Sequence, residues 1–146
     1  MSYLIFFFAM LMAEMALGAG FTGSDLQTAL HSQKDEKAVI YSWSPHMNLS
    51  IRGLDEIIPL ARRNKIKLIV VLDPNCDLKQ AQEISRLHHW PAEYLKTMDA
   101  KELIEKGFRI HYPSYLLAQN GNFTSPTIPG YKSIGELTRM VRTYLK

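Results

Sequence analysis

The chain has 146 residues with 17 Lys and Arg against 14 Asp and Glu, a formal net charge of +3, and one cysteine. That length holds one domain with a real core, and the charge is too small to point to nucleic acid. One cysteine excludes an internal disulfide, an internal dithiol couple and any Cys-rich zinc site. The basic cluster Arg62, Arg63, Lys65 and Lys67 stands where a helix should end, so it reads as a complement to the helix dipole.

Residues 1–18 hold fifteen apolar side chains, all but Ser2, Glu14 and Gly18, and the first Lys or Arg is Lys34. The run 3–13 has the length of a signal-peptide apolar region, and Ala16, Gly18 and Ala19 offer small residues for cleavage, although no Lys or Arg precedes it. A membrane span needs about 20 apolar residues, and a Glu at mid-bilayer costs roughly 2–3 kcal/mol. Residues 1–19 therefore read as a signal peptide or an uncleaved signal anchor, with a single domain over residues 20–146. The alternative, a buried amphipathic helix, lacks a polar face over residues 4–12.

In chain order, Ser24 can cap a helix with Gln27 reaching back, which turns Leu26, Ala29 and Leu30 inward. Residues 38–43 form a short apolar run, best read as a buried strand. Leu54, Ile57, Ile58 and Ala61 make a helical stripe ending at Asn64, and Pro59 within it should kink or shorten the helix. Residues 66–72 give a second apolar strand, so the two strands are expected to pair in parallel with the helix as crossover.

Asp77 can cap a helix carrying Leu78, Ala81, Ile84 and Leu87, with Gln80 in the return position and Trp90-Pro91 as the stop. Residues 92–95 read as a short extended piece, and 100–106 as a short helix ended by Gly107. Residues 115–118, a turn at Asn120-Gly121, and Phe123-Thr124 form a hairpin, because Asn-Gly tolerates the positive φ angles of a type I′ turn. A last helix, capped by Ser133 with Glu136 three residues on, is expected to bury Ile134, Leu137, Val141 and Tyr144.

This order resembles the thioredoxin fold. The stretch Ile40-Tyr41-Ser42-Trp43-Ser44-Pro45-His46-Met47-Asn48-Leu49-Ser50 resembles the family's active-site segment, where Trp-Ala-x-x-Cys-x-x-Cys normally stands. The stretch Tyr112-Pro113-Ser114, followed by apolar residues and Asn120-Gly121, resembles the cis-proline strand and hairpin. Asp73 and Gly130 fall where the family places an Asp and a Gly, and the extra length over residues 90–99 is like the insertion in cell-envelope members. The resemblance covers about residues 22–146. It implies an α/β thioredoxin-like three-layer sandwich: a central mixed sheet with helices on both faces and a C-terminal β-hairpin plus helix.

The alignment puts Met47 and Ser50 where the two cysteines belong. Dithiol exchange needs a thiolate at a helix N-terminus and a resolving thiol one turn later. A thioether cannot deprotonate, and a serine without a neighbouring base is too weak an acid. With the envelope assignment implied by the resemblance, the expected function is a non-dithiol protein-binding or scaffold subunit of the bacterial envelope, with enzyme activity left open, Cys76 as the one candidate reactive thiol, and no cofactor. The resemblance implies a peptide groove formed by Trp43, Pro45, His46, Met47, Ser50, Tyr112 and Pro113.

The expected partner is a protein of an envelope or membrane complex, with no nucleic acid, and with membrane contact only through residues 1–19 if they are uncleaved. The expected location is exported and periplasmic, either soluble or anchored by an N-terminal helix. The alternative is a monothiol or copper-linked redox accessory. Cys76, just before a helix start, would be its thiol, with a pKa depressed by the dipole. His46, Met47 and Cys76 are its candidate copper ligands, joined by His111 if the loops converge. Adjacent His88 and His89 diverge by roughly 100° on a helix and do not chelate together.

Overall fold

A computed structural model describes residues 22–31, 36–106 and 111–146. The elements are α1 (Gly23–Leu30), β1 (Lys37–Trp43), α2 (Asn48–Arg63), β2 (Lys67–Leu72), α3 (Leu78–Leu87), a 3-10 turn (Ala92–Leu95), α4 (Ala100–Glu105), β3 (Ser114–Gln119), β4 (Asn122–Phe123), β5 (Ile128–Pro129) and α5 (Ile134–Tyr144). The sheet runs β2-β1-β3-β4, with β5 also pairing β3. β1 and β2 are parallel, Ala38 opposite Lys67 through Trp43 opposite Leu72. β3 lies antiparallel on the other side of β1, with Ser114 opposite Ser42.

Alternation along the strands divides the core in two. Val39, Tyr41, Trp43, Val70, Leu72, Tyr115 and Leu117 face α2 and α5, through Leu54, Ile57, Leu60 and Leu137. Ala38, Ile40, Ile69, Val71, Leu116 and Ala118 face α1 and α4, through Leu26, Leu30 and Leu103. Both faces of the sheet are covered, which is why the two parallel strands, Lys37, Ser42 and Lys67 apart, are apolar rather than alternating. The result is the expected three-layer α/β sandwich with a mixed sheet.

Local signals decide most boundaries. Asn120 (φ 54°) and Gly121 (φ 79°) both take positive φ, as a type I′ turn requires. Ser133 and Glu136 form a reciprocal capping box on α5, and Asp77 caps α3 by accepting from the Lys79 N–H. The first helix is capped two residues earlier than expected. Thr22, not Ser24, is the cap, because Asp25 returns a carboxylate to the Thr22 N–H at 2.8 Å.

Other expectations need correction. Pro59 does not shorten α2, which runs sixteen residues through it; the Asp55 carbonyl that it leaves without a helical donor belongs to an exposed residue. Residues 92–95 form a 3-10 turn rather than an extended piece. Ile134, Leu78 and Leu87 are exposed, so the buried stripes of α3 and α5 are narrower than their periodicity suggests. Gly107 and residues 1–21 lie outside the described residues, as does the boundary at residue 19. Among the described residues no helix is long and apolar enough to cross a membrane.

Candidate functional site

Three connections meet at the carboxyl end of β1. Ser44–Met47 leaves β1 itself, Asp73–Asp77 leaves β2, and His111–Pro113 enters β3. The Asp73 N–H donates to the Trp43 carbonyl at 2.8 Å, which ties the β2 loop to the end of β1. The Ser114 N–H donates to Ser42 Oγ at 3.1 Å and ties the β3 loop to the same end. The Tyr112–Pro113 peptide bond is cis.

Met47 is the N-cap of α2 and makes no side-chain capping bond. It is 45% exposed and Leu49 beside it is 53% exposed, so the helix start presents an apolar knob to solvent. Ser50, one turn on, is fully buried. Its Oγ accepts from the Ser44 N–H (3.1 Å) and directs its proton toward the carbonyls of Ser44 (2.7 Å) and Met47 (2.8 Å). Ser50 is thus a stitch that closes the loop. The Tyr41 hydroxyl donates to the Ser50 carbonyl at 2.6 Å from below, so this loop rests directly on the central strand.

Trp43 is fully buried. Its indole N–H donates to the Tyr94 carbonyl at 2.9 Å, and its ring meets Trp90 edge-on at 5.1 Å. It supports the loop from beneath and lends no surface to a groove, which corrects its expected place in the wall. Pro45, Pro113 and Ser50 are also buried. The accessible part of the site is His46, Met47, Leu49 and the half-buried Tyr112.

Tyr112 starts beside β3 and its phenol lies near enough to the Asp73 carboxylate at the end of β2 to feel its charge. β1 lies between those strands, so the side chain crosses over the end of β1. Burial first, and then Asp73, push the Tyr112 phenol well above the ordinary tyrosine range.

Cys76 is half-buried against the larger core cluster. Burial, then Asp73 and, more weakly, Asp77, push its thiol up to about 11. The expected depression by the helix start does not occur. Asp77 already answers the Lys79 N–H of α3 with a negative charge, and burial together with Asp73 outweighs a partial dipole.

His46 and His111 are exposed. Among the described residues no three His, Cys, Asp or Glu side chains gather around a common point.

No protein-family model matches the chain, and no curated protein matches it. Solved structures do. A thiol:disulfide interchange protein of the thioredoxin family from Chlorobium tepidum superposes with a TM-score of 0.64 at 13% identity, over 82% of this chain and 85% of that one. The fold is thioredoxin-like. MTB DsbF, solved in its mixed oxidized and reduced forms, is similar with a TM-score of 0.58 at 20% identity, over 77% of this chain and 83% of its own. A secreted Mycobacterium tuberculosis disulfide oxidoreductase, described as homologous to E. coli DsbE, gives 0.56 at 16% identity, over 76% and 84%.

Within this thioredoxin-like frame the one cysteine lies on the β2 loop, outside the segment that leads from β1 into α2. The chain therefore has no dithiol motif.

Sequence reasoning missed a second polar cluster. Asp55 on α2 accepts from His88 Nδ1 at 2.7 Å and from the Trp90 indole N–H at 2.9 Å, and the His88 and Trp90 rings lie 4.7 Å apart. Nothing local marks Asp55, because its partners lie 33 and 35 residues further along the chain. His89, with φ 56°, takes the chain out of α3. The histidine pair thus ties α2 to α3 at one member and turns the backbone at the other.

Proposed function

We propose that this protein is an exported, thioredoxin-like envelope protein that binds an extended segment of a partner protein at the carboxyl end of β1, without dithiol chemistry, as a binding or scaffold subunit. The observation that carries this reading is the Tyr112 backbone. Among the described residues its N–H and C=O have no hydrogen-bond partner, whereas the next carbonyl, of Pro113, is taken by the Gly130 N–H at 2.9 Å. Free main-chain groups beside an exposed apolar knob suit an extended peptide, which supplies backbone pairing and an apolar side chain together.

Export is supported by the apolar residues 1–18 and by similarity to proteins described as secreted or as an exposed lipoprotein. The monothiol and copper alternatives centre on Cys76, and a thiol pushed up to about 11 is protonated at neutral pH.

The test is site-specific photocrosslinking in intact cells, with the crosslinker placed at His46 and, on α5, at the exposed Arg139. A discrete adduct from His46 alone, lost on Met47→Asp, supports the reading. Equal adducts from both positions, or none from His46, refute it.

A further inference from the structure

We propose that the outer edge of β2 is a second, independent docking site that takes one short, acidic, extended peptide by strand addition. β2 is the terminal strand of the sheet. In a strand, successive residues turn their backbone groups to opposite edges. The Asp73 N–H bonds β1 through the Trp43 carbonyl, while the Leu72 N–H bonds outward to the Lys96 carbonyl, both at 2.8 Å. Leu68 and Val70 therefore also face outward.

Among the described residues, the only pairing on that edge is the parallel bridge of Leu72 with Thr97. Among the described residues the N–H and C=O groups of Leu68 and Val70 have no hydrogen-bond partner, in a sheet whose other edge is made of short strands. Unpaired edges of this kind template an added strand.

The edge is also a slot. A cavity of about 200 Å³ lies against it, lined among the described residues by Leu68 and Val70, by Ala29 of α1 on one side and by Glu93 and Tyr94 on the other, with Lys67 and Lys96. Its closed end argues against self-association. An antiparallel pair of two β2 edges places Leu68 opposite Val70 of the second copy, hence Ile66 opposite Leu72. Leu72 already carries the Lys96–Thr97 segment of its own chain, so the second copy's Ile66 would collide with it. A single short strand that stops or turns out before Lys96 meets no such obstacle.

Charge selects the occupant. Lys67 is held by Glu36 at 3.5 Å and by the Ala29 carbonyl at 2.7 Å. Lys96 is exposed and, among the described residues, has no carboxylate within 4 Å, Asp25 acting on it only from further away. A carboxylate on the inserted strand would meet it.

The test uses full-length protein, the capped peptide acetyl-Val-Glu-Val-Glu-Val-amide, and its Lys-for-Glu counterpart. Amide hydrogen exchange is read residue by residue. At saturation the Leu68 and Val70 amides should slow tenfold or more, while Ile69 and Val71, already in the ladder with β1, should not change. Lys96→Glu should weaken the acidic peptide at least tenfold and favour the lysine peptide. Leu68→Pro, which deletes an outward N–H that the fold does not use, should abolish protection at Val70.

Equal affinity for the two peptides overturns the proposal. So does protection of Leu68 and Val70 that rises with protein concentration alone. Spectral changes confined to His46, Met47 and Tyr112 also overturn it, while leaving the loop site standing.

Discussion

Ser50→Ala isolates what the serine expected at the family's second cysteine position does. Ser50 is fully buried, and its Oγ touches three backbone groups. Two of them keep partners when the hydroxyl goes. The Ser44 carbonyl still accepts from the Met47 N–H at 3.1 Å, and the Met47 carbonyl still accepts from the Ser50 N–H at 2.8 Å. Only the Ser44 N–H, on a residue 2% exposed, is left alone.

An orphaned buried donor costs roughly 1–3 kcal/mol, against which alanine's better helix propensity returns at most about 0.5 kcal/mol. The expected loss is about 2 kcal/mol, roughly a 30-fold shift in the folding equilibrium and a fall in melting temperature of about 8 °C. Urea unfolding at 25 °C and thermal melts measure it, with Thr138→Ala as the control. The Thr138 hydroxyl donates to the Ile134 carbonyl at 2.8 Å on the exposed side of α5, so its removal should cost under about 0.5 kcal/mol. A Ser50→Ala variant as stable as that control would refute the assignment of Ser50 as the stitch of this loop.

Three further outcomes are expected. Met47→Cys/Ser50→Cys places a Cys-x-x-Cys pair at the start of α2, where the helix dipole lowers the first thiol. The variant should form an internal disulfide and accelerate insulin reduction by dithiothreitol severalfold over the wild type; failure to do either means that Met47 and Ser50 do not occupy the dithiol geometry. Gly53→Ala drives a Cβ into the Tyr41 hydroxyl and close to that of Tyr115. It should cost about 1–3 kcal/mol by urea unfolding and clearly less on a Tyr41→Phe background, and equal costs in both backgrounds would show that the hydroxyl is not the main obstacle. The Cys76 thiol, raised to about 11, carries its proton below that pH and becomes nucleophilic only as pH climbs through it. Iodoacetamide should therefore modify it about 100-fold more slowly at pH 8 than a thiol of pKa near 9, with a rate still rising at pH 10; a plateau by pH 8 would restore the monothiol alternative.

The sequence by itself determined the elements and their order, because the signals that set them are local. Asn120-Gly121 suits a tight hairpin, Ser133 and Glu136 close a box within one turn, and the largely apolar runs of β1 and β2 suit strands covered on both faces. It also established the missing dithiol, since that follows from a count of cysteines.

What the tertiary structure alone decided is which way side chains face and what they meet. Trp43 reads as a groove wall until Tyr94, 51 residues later, takes its N–H into the core. Cys76 reads as an activated thiol until burial and Asp73 reverse the effect of the helix start. Asp55 is one exposed acid on a helix until His88 and Trp90 converge on it. Among the described residues the edge of β2 pairs at Leu72 and leaves Leu68 and Val70 alone. Each depends on partners far apart in the chain, and desolvation and charge act through space, where the spacing of residues along the sequence carries no record of them.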